Sequence, residues 1–458
     1  MISLHTEMKK NAIAFICILL PFLPTFVFAE VSIPLLDREG RGESLETLAQ
    51  TIKVQVTNPS GTDRKDVPVV VDLKNVLGKK TAGVVSAMVT TPSLIGRAGG
   101  ESVPSQLDDL DGDLIYDELA FVADIPAHTT RSFEVVCSAV SPQKSYPPRT
   151  AAFMKVWDRK YRYPYINSIE YQGRNEPLAT YDAIYGHGAQ WESELVGFRV
   201  YMDHRQSIDI YGKPTPQLVL DKTNFYSTRE DIANGLGCDI LFAGPSVGAG
   251  SFRGYLNEQP TYVDNVEARG QRVVASGPVR AIVEVWDKNW WYNNKTLQMR
   301  QRYTIYAGHR DVQVDIQLAG PAVDDERFCT GVQKLEMDNE GYFPQALPSL
   351  TGGVGGGSAG GGSSLVGSWG RNIPDKAAED LVEGVGLGVC APAAYLTTTK
   401  EDAYNYLTIL HPVNGHITYH LAICALMEQD GFKDAKSWFR WLQQWQAELS
   451  LPCTIRIP

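Results

Sequence analysis

Cysteine is scarce in this chain of 458 residues: there are seven in all, and no two stand in a CxxC arrangement. Cys17 lies in a predicted leader, and the other six are too dispersed for a disulfide scaffold or a zinc site. Positive charge is also in deficit, since 42 Lys and Arg against 53 Asp and Glu give a formal net charge of -11. We therefore expect no nucleic-acid partner and no attachment to anionic lipid.

Long apolar runs are missing after the first 29 residues, so no membrane span is expected. Those first residues have the layout of a signal peptide, with Lys9 and Lys10, an apolar stretch from Ile13 to Phe28, and a cleavage site ending at Ala29. We expect a periplasmic or secreted protein that is cleaved after Ala29. A polar linker is expected at residues 30–47.

Several catalytic motifs are absent as well. The chain has no phosphate loop and no HExxH sequence, and the GxSxG letters at Gly244–Gly248 lack the strand-to-helix setting of a nucleophile elbow. Aromatic residues, in contrast, are plentiful, with 9 Trp and 21 Tyr. Flat rings suit both core packing and stacking on sugars, so composition leaves both uses open.

The spacing of strand-like segments predicts an all-β protein. Short segments separated by Pro, Gly and Asp fill residues 48–140 and predict a small immunoglobulin-like sandwich. After a Pro-rich boundary at Ser141–Arg149, longer segments rich in Thr, Val, Ile and Tyr predict a large antiparallel domain over 151–458. Within it, Lys433–Leu449 has the periodicity of an amphipathic helix, and residues 352–364 read as a flexible Gly/Ser insert.

An acidic stretch resembles a calcium loop. Its carboxylates alternate along the chain at Asp109, Asp111 and Asp113, and Asp117 follows. Gly112 comes too early for the turn of an EF-hand, so a solvated acidic turn is the alternative. Either reading is structural, and no cofactor other than this Ca²⁺ is expected.

A run of polar and aromatic residues from Tyr185 to Lys213 is the best candidate for an active site. We predict one strand over Glu192–Met202, with a bulge near Gly197 that brings its polar groups together. His187 stands between two glycines ahead of that strand, where an imidazole is accessible as a general base. Structural ion pairs and loop packing are the alternative uses of these residues. The candidate catalytic residues are His187, Glu194 and Tyr201, and the candidate substrate-binding residues are Glu192, Arg199, Arg205, Trp290, Trp291 and Tyr292, the last three as a sugar-stacking platform.

At Gln106–Glu118, Tyr185–Lys213 and Ser246–Phe252 the sequence resembles the DUF4861 family of exported Bacteroidetes proteins. The resemblance extends from about Thr51 to Pro458. It implies a galactose-mutarotase-like β-supersandwich after the small N-terminal domain, and an association with polysaccharide degradation. The Gly/Ser insert departs from the family, as does Leu114, where a second glycine is expected.

The resemblance also implies elimination chemistry, dehydration or lysis, on uronate- and rhamnose-containing oligosaccharides such as those from ulvan. That reaction needs a base, His187 or Tyr201, and an acid for the leaving oxygen, Tyr201 or Glu194. Arg199 and Arg205 would supply positive charge for the uronate carboxylate. The alternatives are a mutarotase or epimerase, a glycoside hydrolase, and a glycan-binding protein without catalysis.

Overall fold

The computed structural model describes residues 50–92, 100–140, 142–157, 160, 163–172, 183–223, 227–343, 363–372 and 382–458. The predicted signal peptide and linker lie outside these residues, as does the Gly/Ser tract up to residue 362. Ser363 and Ser364, predicted as the end of that tract, begin a strand instead, and Ser364 is buried. None of the described helices is long and apolar enough to cross a membrane.

The N-terminal sandwich, residues 50–138, starts the described chain. Its elements are β1 (Gln50–Thr57), β2 (Arg64–Asp72), α1 (Leu73–Leu77), a 3-10 helix (Gly78–Gly83), β3 (Ser86–Thr90), β4 (Ser102–Val103), β5 (Ser105–Asp108), β6 (Glu118–Ile125) and β7 (Thr130–Ser138).

The large sandwich, residues 150–450, follows, and a last strand ends the chain. The elements are β8 (Thr150–Val156), β9 (Tyr165–Ile166), β10 (Ser168–Gln172), β11 (Ile184–Ser193), β12 (Gly197–Tyr201), β13 (Ile208–Gly212), α2 (Arg229–Ala233), β14 (Cys238–Asp239), β15 (Arg253–Leu256), β16 (Gln259–Thr261), β17 (Ala268–Ser276), β18 (Arg280–Tyr292), β19 (Lys295–Tyr306), β20 (Asp311–Ala319), a 3-10 helix (Val323–Asp325), β21 (Phe328–Gln333), β22 (Met337–Tyr342), β23 (Ser363–Asn372), β24 (Glu383–Pro392), β25 (Leu396–Glu401), β26 (Asn405–Leu410), β27 (His416–Ala425), α3 (Ala435–Ser450) and β28 (Thr454–Arg456).

In the N-terminal sandwich a sheet of order β28-β1-β7-β3-β4 packs on a sheet of order β2-β6-β5. Strand alternation turns residues such as Val54, Val69 and Phe133 into a shared core. The all-β class is therefore confirmed, but the immunoglobulin-like type of this sandwich is not. The last strand returns to pair with β1, so the C terminus joins the N-terminal sheet rather than the large one.

Three sheets build the large sandwich. The nine-stranded sheet has the order β10-β17-β18-β19-β20-β27-β24-β23-β22, the six-stranded sheet β14-β13-β12-β11-β8-β9, and the five-stranded sheet β16-β15-β21-β26-β25. Their inner faces share one core, in which Trp191 of β11 contacts Tyr303 of β19. This core is separate from that of the N-terminal sandwich. We call the face of a sheet turned away from this core its outer face.

The predicted amphipathic helix forms, as α3. Asp434 caps it by accepting a hydrogen bond of 2.6 Å from the Ser437 backbone N–H. Its apolar face packs on β23 and β24, and Trp438 donates its indole N–H to the Leu387 carbonyl oxygen at 3.1 Å. A cluster of buried Trp and Leu side chains thus covers one end of the nine-stranded sheet.

A polar cluster joins the two sandwiches. Arg149 binds Asp66 of β2 at 2.7 Å and Glu194 at 2.6 Å. Beside it, one ring nitrogen of His309 lies 2.9 Å from the Asp66 carbonyl oxygen, and the other lies 2.9 Å from the Asp311 carboxylate. When both ring nitrogens carry protons they can donate both bonds, so this contact favours the imidazolium.

Stability should therefore depend on pH through His309. Burial lowers the pKa of His309, but the Asp311 carboxylate and the Asp66 carbonyl outweigh burial and raise it to about 9. Because this pKa exceeds that of an unfolded histidine, about 6.5, the stabilisation is complete below that pH and is lost as the pH rises through about 9. In His309→Gln, urea unfolding should show a smaller loss of stability over this interval. His416→Gln, at an exposed position, is the control. If the free energy of unfolding of His309→Gln fell with pH as steeply as that of the unsubstituted protein, the assignment of this pH dependence to His309 would be contradicted.

Candidate active site

The predicted single strand over Glu192–Met202 is wrong: the chain forms a hairpin of β11 and β12 with a turn at 194–196. Gln190 pairs with Arg199 and Trp191 pairs with Phe198. Trp191 and Phe198 face the core, so Gln190 and Arg199 face outward. Tyr201, two residues beyond Arg199, shares that outer face. The polar groups of this segment are therefore brought together by the turn between β11 and β12, and not by a bulge near Gly197.

A bulge does occur, but in β11, where the pairing with β8 shifts between Tyr185 and Gln190. Gly186 and His187 have left-handed backbone angles, with φ of 78° and 60°. At Gly188 a Cβ would overlap the Val200 carbonyl oxygen. The glycines on either side of His187 are therefore demanded by the backbone, which explains the Gly-His-Gly sequence.

His187 and Tyr201 meet on the outer face of the six-stranded sheet. Their ring centroids are 5.7 Å apart, edge to face. The His187 side chain lies within β11 and is buried, so the accessible loop imidazole predicted from the flanking glycines is wrong. The His187 carbonyl oxygen accepts the Met202 backbone N–H at 2.8 Å, which fixes the bulge against β12. An imidazole and a phenol are thus held side by side by the backbone.

Arg205 adds a positive charge next to this pair. Its guanidinium lies 5.0 Å from the centre of the Tyr201 ring, and Asp203 binds it at 2.5 Å. The Arg205 side chain is 37% exposed, whereas that of Asp203 is 4% exposed. The buried Asp203 carboxylate therefore fixes the position of Arg205 and leaves part of its guanidinium at the surface.

Arg199 lies on the same face but deep in the protein. Its side chain is 1% exposed and binds Asp209 at 2.6 Å and Asp239 at 3.2 Å, with the Tyr211 ring 5.1 Å away. Burial opposes its charge, but Tyr211 and the two carboxylates hold the pKa of Arg199 well above its usual value. Sequence reasoning missed both aspartates. Asp209 could have been found from the sequence, because Asp209 and Tyr211 are two residues apart in a strand and therefore lie on the same face.

Glu192, predicted to bind substrate, is instead fully engaged inside the protein. Its carboxylate accepts from the ammonium of Lys213 at 2.5 Å and from the backbone N–H groups of Val219 and Leu220 at 2.9 and 3.0 Å. Lys213 also donates to the Ser193 carbonyl oxygen at 2.6 Å. Burial lowers the pKa of Lys213, and Glu192 opposes that shift. The pair ties β11 to the chain after β13.

Glu194, predicted to be catalytic, lies in the hairpin turn rather than with His187. It binds Arg149 and accepts the Gly308 backbone N–H at 3.1 Å, within the cluster that joins the sandwiches. The charge on Glu194 is thus matched by a structural arginine. Of the three predicted catalytic residues, the structure brings together His187 and Tyr201.

The predicted sugar-stacking platform divides between two sides of a sheet. A bulge in β18 between Asp287 and Trp290 turns Trp290 and Tyr292 into the core, where they are 1% and 3% exposed. Core packing covers both rings, so neither can stack on a sugar. Trp291 is 50% exposed and lies on the outer face of the nine-stranded sheet, not on the face with His187.

Three aspartates of the acidic loop lie close to the ammonium group of a lysine. Oxygens of Asp109, Asp111 and Asp117 lie within 4.8 Å of one another. The Lys74 ammonium binds Asp117 at 2.7 Å and lies 3.6 Å from Asp111 and 3.8 Å from Asp113. A lysine from α1 therefore meets part of the charge that a cation would neutralise. Calcium binding by these aspartates stays a prediction.

The structural role of Glu192 gives a test by paired substitution. Glu192→Gln or Lys213→Met alone should lower the free energy of unfolding by about 3–5 kcal/mol, because each leaves one buried charge unpaired. The double variant should lose less than the sum, as measured by urea denaturation. The exposed pair Lys400 and Glu258, 2.8 Å apart, is the matched control and should show little coupling. Additive losses at Glu192 and Lys213 would contradict the pairing.

Comparison with known proteins places the chain in a family. The family model described as a domain of unknown function, DUF4861, matches residues 56–455. No curated protein matches the chain. Similar solved structures include a protein in glycosyl hydrolase family 38 from Enterococcus faecalis (TM-score 0.45, 10% identity, covering 89% of this chain and 47% of that one) and an alpha-mannosidase from Enterococcus faecalis V583 (TM-score 0.43, 10% identity, 89% and 46%). This chain thus spans less than half the length of either. Since the family model covers most of the sequence, the chain belongs to the DUF4861 family.

Proposed function

We propose that this protein is an exported carbohydrate-active enzyme that acts by elimination on uronate- and rhamnose-containing oligosaccharides. One observation carries the proposal: His187 and Tyr201 are held 5.7 Å apart between ring centroids, with the guanidinium of Arg205 over the phenol ring. Elimination needs a base, an acid and a cation for the carboxylate, and these three side chains have those chemistries. The signal-peptide layout of the first 29 residues supports the proposed export.

The reaction can be assigned to these groups step by step. The imidazole of His187 takes the proton from the carbon next to the uronate carboxylate. The electron pair of that C–H bond forms a carbon–carbon double bond, and the C–O bond on the neighbouring carbon breaks. The Tyr201 hydroxyl gives its proton to the leaving oxygen, which departs as water or as the hydroxyl of a shorter chain. Exchange with water restores both groups, and Arg205 pairs with the carboxylate throughout.

The surroundings of the carboxylates lead us to favour elimination over a hydrolase built on Glu192 and Glu194. Glu192 accepts hydrogen bonds from three donors in the interior, and Glu194 is bound to Arg149. Most glycoside hydrolases use two carboxyl groups that face one glycosidic bond. With Glu194 engaged elsewhere, the acid role falls to Tyr201. Arg199 is buried between Asp209 and Asp239, whereas Arg205 is bound by Asp203 but keeps part of its guanidinium at the surface, so we assign the uronate to Arg205.

The reaction class can be read from product masses. The purified protein is incubated with ulvan and pectic oligosaccharides, and the products are weighed by mass spectrometry. Loss of one water from the substrate means dehydration, whereas cleavage with no change in summed mass and an unsaturated new end means lysis. Either supports elimination. A gain of one water means hydrolysis, and an unchanged mass means epimerisation or binding alone. Either of these two results would overturn the proposal.

Two conservative substitutions test the assigned residues. Tyr201→Phe removes only a hydroxyl, and His187→Asn keeps a residue type that tolerates left-handed angles. Each should lower kcat about 100-fold or more, the scale of general acid–base catalysis, with little change in melting temperature. His128→Asn is the matched control, because His128 also has a left-handed φ, 52°, but is exposed in the N-terminal sandwich. Full turnover in His187→Asn would show that the imidazole is not the base.

A further inference from the structure

Three polar side chains are buried in the core of the large sandwich. They are Gln271 and Arg269 of β17 and Asp287 of β18, which are 0%, 3% and 1% exposed. They lie on the inner face of the nine-stranded sheet, because Gln271 pairs with the core residue Val285 and Arg269 pairs with Asp287. We call these three side chains the buried polar support. Buried polar and charged groups cost desolvation free energy that only well-placed partners offset.

The carboxamide of Gln271 joins β11 to β12 next to the bulge that carries His187. Its oxygen accepts the Ala189 backbone N–H at 2.7 Å, and its nitrogen donates to the Val200 carbonyl oxygen at 3.1 Å. Ala189 and Val200 are register partners in the hairpin. A Cβ at Gly188 would overlap the Val200 carbonyl oxygen and crowd the Gln271 oxygen. Gln271 therefore fixes the backbone two residues beyond His187.

Asp287 holds the turn between β12 and β13. Its carboxylate accepts from the Gln206 amide at 2.7 Å and from the Arg269 guanidinium at 2.6 Å. Gln206 is fully buried and has a left-handed backbone, with a φ of 42°. Its backbone N–H donates to the Asp203 carbonyl oxygen at 3.2 Å, which closes the turn. Because Asp203 also binds Arg205, Asp287 restrains the turn that presents Arg205.

Arg269 reaches the same turn through two further residues. Its guanidinium donates to the Val263 carbonyl oxygen, and the Val263 backbone N–H donates to the His204 carbonyl oxygen at 3.1 Å. Arg269 also donates to the hydroxyl oxygen of Tyr171, and that hydroxyl donates to the Met202 carbonyl oxygen at 3.0 Å. Both paths end on carbonyl groups of the turn before β13, so one guanidinium restrains two of its peptide groups.

We propose that the buried polar support positions two reacting groups of the candidate active site. Gln271 positions the His187 imidazole, and Arg269 with Asp287 positions the Arg205 guanidinium. This inference rests on the proposed function, in which these two groups take a proton and bind a carboxylate. Proton transfer and bidentate pairing both require a fixed geometry. Apolar side chains would fill the same core positions at a lower desolvation cost. The support lies on the core side of the six-stranded sheet, so its members act through other residues.

The role of Gln271 is tested by steady-state kinetics of Gln271→Met on ulvan oligosaccharides. The value of kcat should fall about tenfold or more, because the base loses its fixed position, and KM should change by no more than about twofold. Gln333→Met is the matched control and should keep both constants. Gln333 is also a buried amide, which accepts from the Ser246 hydroxyl at 2.9 Å and donates to the Phe242 carbonyl oxygen at 3.0 Å. An unchanged kcat in Gln271→Met, or an equal loss in Gln333→Met, would overturn the proposal.

The role of Asp287 predicts the opposite kinetic effect. Asp287→Asn should raise KM about tenfold and leave kcat nearly unchanged, because Arg205 pairs with the carboxylate both in the bound substrate and in the transition state. Tyr171→Phe, at a half-buried position, should also raise KM and serves if Asp287→Asn does not fold. Asp108→Asn is the control, since it breaks another buried pair, with Arg280 at 2.6 Å. A loss of kcat without a rise in KM, or the same rise in Asp108→Asn, would contradict the positioning of Arg205.

Crystal structures of the unsubstituted chain and of Gln271→Met separate this proposal from the proposed function. The ring centroids of His187 and Tyr201, 5.7 Å apart in the unsubstituted chain, should lie further apart in the variant. A displaced His187 ring in a protein that converts no oligosaccharide would refute the elimination and leave the positioning role standing. A His187 ring that keeps its place in Gln271→Met would overturn the positioning role, even if the unsubstituted chain carries out elimination.

Discussion

The bulge at Gly186–Gly188 is the constraint on which the candidate active site depends. It interrupts a strand in which every residue from Ile184 to Ser193 is buried, and it holds His187 at a φ of 60°. A non-glycine residue in that region costs about 1–3 kcal/mol, so the surrounding contacts must compensate for it. The Met202 N–H and the close approach of β12 to Gly188 do so. Such strain, next to a titratable ring, motivates a functional rather than a purely structural reading.

Buried charges fix the strands on either side of that bulge. Arg199 links β12 to β13 and β14 through Asp209 and Asp239, and Lys213 links the end of β13 to Glu192 of β11. Such groups cost desolvation free energy, and they stay charged only with good partners. Arg199 and Asp209 are register partners, so a shift of β12 against β13 would separate this pair. The polar face predicted as a single catalytic cluster thus consists of supporting ion pairs around a smaller group of His187, Tyr201 and Arg205.

Much of the fold could be predicted from alternation and turn residues alone. The all-β class and the helix that carries Trp438 follow from patterns within short segments. The hairpin turn after Ser193 could not, because Glu194 and its neighbours fit a continuous strand equally well. The inward direction of Trp290 and Tyr292 depends on a bulge whose cause is cross-strand pairing. Long-range partners such as Asp239 also have no local signal, since their role comes from a strand that pairs far along the chain.

A crystal structure of Tyr201→Phe with an ulvan oligosaccharide bound is the most direct measurement of where the reaction takes place. The substitution removes the acid and keeps the ring under Arg205, so intact substrate should remain in the site. The account predicts a uronate ring against the outer face of the six-stranded sheet, with its carboxylate at Arg205 and its reacting carbon within reach of His187. Sugar bound only at Trp291, with none near His187, would contradict it.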